Sequence, residues 1–207
     1  MTIYLATGNA GKAADFRTLG LSLLPLPGFA SLASIEETGT TFEANAQLKA
    51  LHYSRLTSEL VLADDSGLEV DALAGAPGVY SARYAGRHGD DAANNRLLLE
   101  RMQGVPDNQR GARFVCVLAL ARQGQVAATF RGVAAGSILL APHGTHGFGY
   151  DPLFFSSAAG AAFGELTADR KGACSHRGAA VRLLLEWIGA HETHCETHSA
   201  RARPRHP

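Results

Sequence analysis

The chain opens with an apolar segment that passes through a glycine-containing turn into a helical pattern. Residues 2–6 predict a buried strand and residues 7–12 a turn, after which the pattern is helical as far as about Leu19. A buried strand that feeds directly into a helix is typical of a sheet covered by helices. This unit therefore indicates the α/β class.

A pair of strand patterns in the middle of the chain refines this prediction. Residues 113–121 and 126–133 predict two strands joined by a tight turn at Gln123-Gly124. Such a hairpin is antiparallel, so we expect a mixed α/β sheet with flanking helices rather than a purely doubly wound fold. The remaining predicted elements are a short or edge strand within 21–29, a core strand over 60–63, and helices over 41–59 (N-cap Thr41), 90–102 and 175–188.

The balance of charges excludes some classes of partner. The 207 residues include 19 Lys and Arg and 19 Asp and Glu, so the basic excess of a general nucleic-acid or membrane-surface binder is missing. A small anionic ligand remains compatible with this balance. The sequence shows no secretory signal and no apolar run long enough for a transmembrane helix, and its three cysteines are too scattered for a disulfide framework. We therefore expect a cytoplasmic protein.

Lysine is rare in this chain. Of the 19 basic residues, 16 are Arg, and only Lys12, Lys49 and Lys171 are Lys. In a sequence that favours Arg wherever either cation serves, a retained Lys is a candidate for a site that needs a compact ammonium group, although chance explains any single Lys equally well. The three lysines also fall inside the motifs described next.

The turn after the first strand has the residues of a phosphate cradle. Thr7-Gly8-Asn9-Ala10-Gly11-Lys12 combines glycines, a hydroxyl, an amide and an ammonium at a helix start, where backbone N–H groups favour an anion. Its spacing differs from that of a Walker A loop, and the G-x-G-x-x-G fingerprint is absent. Taken alone, the segment is explained equally well by an ordinary β–α connection.

Two acidic pairs are candidates for metal and proton chemistry. Asp64-Asp65-Ser66-Gly67 follows the core strand over 60–63, and we expect the strand to end there and only one of the two aspartates to face a site. A carboxylate beside a phosphate calls for a hard cation such as Mg²⁺. Glu36-Glu37 could supply a second ligand, although a solvated acidic pair is an equally good explanation.

The second half of the chain offers an aromatic loop and a cationic helix start. Phe148-Gly149-Tyr150-Asp151 could stack a base on a ring and fix its edge with polar groups, or could simply fill a core. Ser175 is a plausible cap for the helix that begins at His176-Arg177. Because Arg carries only hydrogen-bond donors, Arg177 would favour a partner with an acceptor, such as a keto oxygen.

The last segment differs in composition from the rest. Residues 1–188 form one predicted domain, whereas 189–207 contain four histidines, Cys195 and several arginines. The spacing His191-x-x-His194-Cys195-x-x-His198 could hold a transition metal. We instead expect residues 189–207 to be a disordered, solvated extension, because the segment lacks apolar periodicity.

In their order along the chain these motifs resemble the inosine triphosphate pyrophosphatase family, the non-canonical purine nucleoside triphosphate pyrophosphatases. The resemblance runs from about Ile3 to Ile188. It rests on the following segments: 7–12, 36–39, 42–46 with Lys49, 63–68, 75–78, 81–84, 147–152 and 175–178.

The resemblance implies an elongated mixed α/β fold of two lobes with the site in the cleft between them, usually as a homodimer. It implies Mg²⁺-dependent hydrolysis of ITP, dITP and XTP to the monophosphate and pyrophosphate. Asp65 would be the general base and, with Glu36, a metal ligand. The residues that would contact the substrate are Thr7, Gly8, Asn9, Ala10, Gly11, Lys12, Lys49, Ser66, Phe148, Gly149, Tyr150, Asp151, Lys171, His176 and Arg177.

Two other functions stay open at this point. A related pyrophosphatase for modified pyrimidine or methylated nucleotides would hold a different base against Phe148. A nucleotide-sensing module would bind without turnover, but mere binding does not need Asp65 and the acidic pair.

Overall fold

The computed structural model describes residues 1–21, 23–33 and 35–200, with residues 192–200 described by their backbone alone. A seven-stranded mixed sheet forms the centre of the described part, in the order β2-β1-β3-β4-β5-β6-β7. Its strands are β1 (Ile3–Leu5), β2 (Leu24–Pro25), β3 (Leu60–Val70), β4 (Gly111–Arg122), β5 (Gln125–Ile138), β6 (Phe154–Ser156) and β7 (Ala161–Ala162). The helices are α1 (Ala10–Thr18), α2 (Phe42–Tyr53), α3 (Asp91–Arg101), α4 (Ala168–Cys174) and α5 (His176–Ala200).

The sheet is parallel at one edge and antiparallel elsewhere. β1 pairs in parallel with both β2 and β3, and every later pairing from β3 to β7 is antiparallel. The predicted hairpin turn is present: Gln123 and Gly124 both adopt positive φ, which matches the twist of the flanking strands. The predicted mixed α/β class with flanking helices is thus confirmed.

Strand β3 is longer than the sequence predicts. We expected it to end at Asp64, but it continues through the polar segment to Val70, because β4 pairs with it without interruption from Val61 to Val70. The carboxylates therefore lie inside a strand. Their backbone is held by hydrogen bonds to β4 rather than by a loop.

The short β1 creates an opening in the sheet beside these carboxylates. β1 pairs only with Leu60–Leu62 of β3, so in the described part of the chain this edge of β3 has no strand partner from there until Glu69 bridges to Pro77. Leu62 packs in one apolar core and Leu68 in another, and the carboxylates lie between the two. The carboxylates thus lie where the sheet passes from one apolar core to the other.

Several predicted boundaries need correction. α2 begins after its predicted cap, since Thr41 Oγ1 accepts the N–H of Ala44, but it ends at Tyr53 rather than Glu59. α5 was expected to end at Ile188 and runs to Ala200, because a single Gly189 costs a helix only about 1 kcal/mol. The predicted disordered tail thus begins inside this helix, and its residues 201–207 lie outside the described residues, as do the side chains of the proposed metal motif after His191.

The sequence analysis missed α4, β6 and β7, which are short and lack a periodic pattern. No helix among the described residues has the length and apolar character needed to cross a bilayer.

Candidate active site

A cleft of about 730 Å³ lies beside the exposed edge of β3. It brings together nearly all the site residues that the sequence predicted. Its lining includes Thr7, Gly8, Asn9, Ala10, Gly11, Lys12, Lys49, Asp65, Ser66, Phe148, Gly149, Tyr150, Asp151, Lys171, His176 and Arg177. Only Glu36 of the predicted set lies outside this lining. All three lysines of the chain line the cleft, as their rarity suggested.

The turn between β1 and α1 forms one wall of the cleft. Asn9 is the N-cap of α1, and its Oδ1 accepts the N–H of Lys12 across 3.0 Å. The first-turn N–H groups of a helix have no partner within the helix, so this turn favours an anion. Gly11 is required for close packing, because a Cβ there would lie 2.7 Å from the ring of Phe148.

The neighbouring carboxylates of β3 point to opposite faces of the sheet and yet both line the cleft. Asp64 lies 2.7 Å from Nζ of Lys12, and Asp65 lies 3.4 Å from Nζ of Lys49. The prediction that only one aspartate faces the site is therefore wrong. The reason is the early end of β1, which leaves the edge of β3 accessible from both faces.

The two carboxylates differ in proton affinity. Burial alone raises the pKa of Asp64, but the charges of Lys12 and Arg177 outweigh it and hold that pKa below its ordinary value. Burial raises the pKa of Asp65, and the Glu37 carboxylate raises it further, against the opposing charge of Lys49. Asp65 is thus the stronger base of the pair.

The acidic loop contributes Glu37 rather than Glu36. Glu37 lines the cleft, and its Oε1 lies 2.7 Å from Nζ of Lys49, whereas Glu36 is exposed to solvent. Of the two glutamates, the structure therefore places Glu37 in the cleft beside Lys49, and the predicted metal ligand Glu36 outside it. Neighbouring residues of a loop point in different directions, and of these two it is Glu37 that pairs with Lys49.

Asn45 is a site residue that the sequence analysis quoted without assigning a role. It is fully buried on α2, donates to Asp65 Oδ2 across 3.2 Å and accepts the N–H of Gly39 across 2.8 Å. Asn45 could have been found from the sequence as a polar residue on the apolar face of a predicted helix. Such a residue is buried, and buried polar side chains are almost always hydrogen-bonded to a partner.

The other end of the cleft is aromatic and cationic. The ring of Phe148 lies 5.0 Å from Nζ of Lys171 and 5.7 Å from the guanidinium carbon of Arg177. Asp151 is buried, accepts the N–H of Phe148 across 2.9 Å and lies 2.5 Å from Lys171. Asp151 therefore fixes the aromatic loop and holds Lys171 beside it.

His176 and Arg177 begin α5 and are both buried. The imidazole of His176 stacks on Phe114, with ring centroids 4.7 Å apart. Burial first, and then the charges of Arg177 and Lys171, lower the pKa of His176 well below its ordinary value, so the ring is neutral. Arg177 donates to Asp15 across 2.5 Å and to Ser66 across 3.1 Å.

The aromatic loop is also tied to α3, a contact that the sequence did not predict. Asp91 accepts the N–H of Gly149 across 2.7 Å, and Asn95 donates to the carbonyl of Gly149 across 2.9 Å. In addition, the hydroxyl of Tyr150 donates to the carbonyl of Ser81 across 2.9 Å. These bonds attach the aromatic end of the cleft to the segment that follows β3.

Comparison with known proteins identifies the family. The sequence model of the Ham1 family matches residues 3–187. The chain belongs to the Ham1 family. The resemblance found in the sequence is thereby confirmed over nearly the whole of the predicted domain.

Two relatives of this Ham1 chain share a name. A dITP/XTP pyrophosphatase of Exiguobacterium sibiricum is 48% identical over 188 residues, covering 89% of this chain and 95% of the relative. A dITP/XTP pyrophosphatase of Acidobacterium capsulatum is 50% identical over 198 residues, covering 89% and 97%.

Solved structures of the Ham1 family have the same fold. The Ham1 protein of Staphylococcus aureus superimposes with a TM-score of 0.82 at 37% identity, over 92% of this chain and 100% of that one. The HAM1 protein of Coxiella burnetii gives a TM-score of 0.81 at 40% identity, over the same shares of the two chains.

Proposed function

We propose that this chain is a nucleoside triphosphate pyrophosphatase that hydrolyses dITP, ITP and XTP to the monophosphate and pyrophosphate. The proposal is supported by its similarity to dITP/XTP pyrophosphatases and by the residues that line the cleft. Such an enzyme removes deaminated purines from the nucleotide pool. A homodimer in the cytoplasm belongs to the same proposal, and light scattering on the purified chain tests the dimer.

The single observation behind the proposal is the order of groups along one cleft. The phosphate-type turn and Asp65 share it with the aromatic loop around Phe148. At the aromatic end, Nδ1 of His176 and Nε of Arg177 are buried atoms that have no hydrogen-bond partner among the described residues. Unpaired buried polar atoms are rare, and they mark this end of the cleft as polar as well as aromatic.

The acidic residues suit a hard divalent cation. Glu37 and Asp65 converge on one cation already, since Nζ of Lys49 lies 2.7 Å from the first and 3.4 Å from the second. The described residues contain no cluster of three or more His, Cys, Asp or Glu side chains with metal-site geometry. Mg²⁺ commonly takes one or two carboxylates and completes its shell with water and substrate phosphates. Glu37 and Asp65 would hold it, and when bound it would neutralise charge on the phosphates.

Side chains of the cleft supply the other groups that hydrolysis requires. Hydrolysis needs a base near a water that faces the α-phosphorus, together with cations on the developing charge. Asp65, with its raised pKa, accepts the proton of that water, and Asn45 holds the carboxylate in place. Lys12 and Lys49 supply compact positive charge, the first at the phosphate turn and the second beside Asp65.

Selection of the purine base of the substrate is assigned to Arg177 and its neighbours. Hypoxanthine and xanthine present an oxygen acceptor at position 6, whereas adenine presents an amino donor there. The N–H donors of Arg177 can bond to the oxygen of hypoxanthine or xanthine, whereas they would face another donor on adenine. Because an unpaired buried charge is costly, discrimination of about a thousandfold is within reach.

A substrate panel tests the proposal. Pyrophosphate release from dITP, ITP, XTP, dUTP, a methylated nucleotide and ATP is measured side by side with a coupled inorganic pyrophosphatase, with EDTA and then excess Mg²⁺ added to parallel samples. We expect kcat/KM for the deaminated purines to exceed that for ATP by about a thousandfold and to require Mg²⁺. Preference for dUTP or the methylated nucleotide would instead support the alternative pyrophosphatase, and binding without turnover would support a sensor.

A further inference from the structure

Arg83 differs from the other cations of the cleft. Among the described residues, five Lys and Arg side chains line it, and four of these lie within 2.7 Å of a carboxylate oxygen. The guanidinium of Arg83 lies 3.7 Å from its acidic neighbour, Glu37. Its side chain is 33% exposed, against 16% or less for the other four. Arg83 is thus the cation of the cleft that can most readily take a new anionic partner.

The backbone that carries Arg83 is firmly fixed. Arg83 ends a 3₁₀ segment, Gly78–Arg83, in which Ser81 Oγ accepts the N–H of Leu68 across 2.9 Å. Gly67 of β3 has no room for a Cβ, because that atom would overlap Ser81 Oγ. The guanidinium itself rests over the ring of Tyr80 at 5.3 Å. A long side chain on a fixed backbone is well placed to bind a mobile anion.

The contacts of Arg83 connect it to the general base of the proposed reaction. A continuous series of ion pairs leads from Asp65 through Lys49 and Glu37 to Arg83. Lys171 and Arg177 belong to a separate group, which is built around Phe148. A nucleotide with its α-phosphorus at Asp65 can therefore lay its β- and γ-phosphates along the series of ion pairs that ends at Arg83.

We propose that Arg83 binds the leaving pyrophosphate, an inference that rests on the proposed function. In the reaction, the water oxygen bonds to the α-phosphorus and its proton passes to Asp65. The bond from the α-phosphorus to the bridging oxygen breaks, and the electron pair leaves on the pyrophosphate. The planar guanidinium of Arg83 matches two phosphate oxygens and replaces its long contact to Glu37 with short, charged hydrogen bonds.

Calorimetric titration of the purified chain tests this assignment without turnover. Inorganic pyrophosphate and deoxyinosine monophosphate are titrated separately, with Mg²⁺ present, into the wild type, Arg83→Met and Arg83→Lys. The matched control is Arg87→Met, which removes the same charge from an exposed residue outside the cleft lining. Thermal midpoints of all variants are recorded to exclude loss of folding.

We expect Arg83→Met to weaken pyrophosphate binding by about tenfold or more, since two charged hydrogen bonds are lost. Arg83→Lys should recover part of this loss, and Arg87→Met should resemble the wild type. Binding of the monophosphate should stay within about twofold in every variant, because its phosphate lies at Asp65.

Unchanged pyrophosphate binding in Arg83→Met would overturn the assignment, as would an equal loss for both products or an equal effect of Arg87→Met. Failure of the proposed function has a different signature, namely that the wild type releases no pyrophosphate from dITP or XTP. The two outcomes are measured in separate experiments and can be told apart.

Discussion

The side-chain amide of Asn45 bonds to the carboxylate of Asp65 with Nδ2 and Oδ2 3.2 Å apart, and its own oxygen holds the N–H of Gly39. Asn45→Ala leaves both partners without this bond in a buried setting. We expect the free energy of unfolding to fall by about 1–3 kcal/mol, as measured by urea denaturation. Steady-state kinetics with dITP should show a larger fall in kcat than rise in KM, because Asn45 positions Asp65 without touching the substrate.

Asn45→Asp is the matched variant for this prediction. It keeps the side-chain shape and an acceptor for Gly39 but places a like charge beside Asp65, so kcat should fall although folding is retained. Normal kcat in both variants would show that the position of Asp65 does not depend on Asn45.

Asp65→Asn keeps the shape of the side chain and removes its basicity. We expect the variant to bind dITP and to turn over about a hundredfold more slowly or worse, the loss typical of a missing general base. Asp64→Asn is the control, since Asp64 pairs with Lys12 and should mainly raise KM. Binding by calorimetry and turnover by pyrophosphate release separate the two effects. Near-normal turnover of Asp65→Asn would move the base to another residue.

His176 makes stability depend on pH. Its pKa is lowered in the folded chain by burial and nearby cations, so below about pH 6.5 the unfolded state binds a proton that the folded state does not. The free energy of unfolding should therefore fall as the pH falls, by at most about 1.4 kcal/mol per pH unit from this group. Urea denaturation at about pH 8 and about pH 5.5 measures the slope. An equally steep slope in His176→Gln would assign the effect to other groups.

Arg177→Ala should reduce the preference for keto purines. We expect kcat/KM for dITP to fall far more than that for dATP, because the donors that suit a keto oxygen are removed. The thermal midpoint should also fall, since Asp15 loses its partner at 2.5 Å. Kinetics with both nucleotides at equal protein concentration measure the ratio. Equal losses for the two would make Arg177 a structural or phosphate contact.

Two glycine-to-alanine changes should have opposite effects on stability. A Cβ on Gly132 of β5 would overlap the carbonyl of His176 and lie 2.5 Å from the amide of Ala180, so Gly132→Ala should lower the thermal midpoint. A Cβ on Gly189 in α5 meets open space, and Gly189→Ala should add up to about 1 kcal/mol. Calorimetric melting of both variants checks the pair. A neutral Gly132→Ala would show that α5 can move away from the sheet.

The elements that the sequence predicted correctly are those that depend on residues close together in the chain. The cap at Thr41 and the turn at Gln123-Gly124 depend on side-chain chemistry within a few residues. The rarity of lysine also carried information, since Lys12, Lys49 and Lys171 all line one cleft. Each of these signals can be seen without knowing which strands become neighbours.

Other features depend on neighbours that a single sequence does not reveal. The segment from Asp64 to Gly67 is poor in strand formers, and only its pairing with β4 keeps it extended. The choice between Glu36 and Glu37 depends on Lys49, which approaches from another element. Arg177 is held by Asp15, which lies far away along the chain.

The position of Asp65 inside β3 has a consequence for local motion. Its backbone pairs with Val117 of β4, in a stretch of strand whose apolar residues are almost completely buried. Amide hydrogens in such a ladder exchange with solvent only through openings that approach global unfolding. The amides of β3 that bond to β4 therefore exchange slowly, and they hold the backbone of Asp65 on that side. A substrate that enters the cleft therefore meets a carboxylate whose backbone is already held in place.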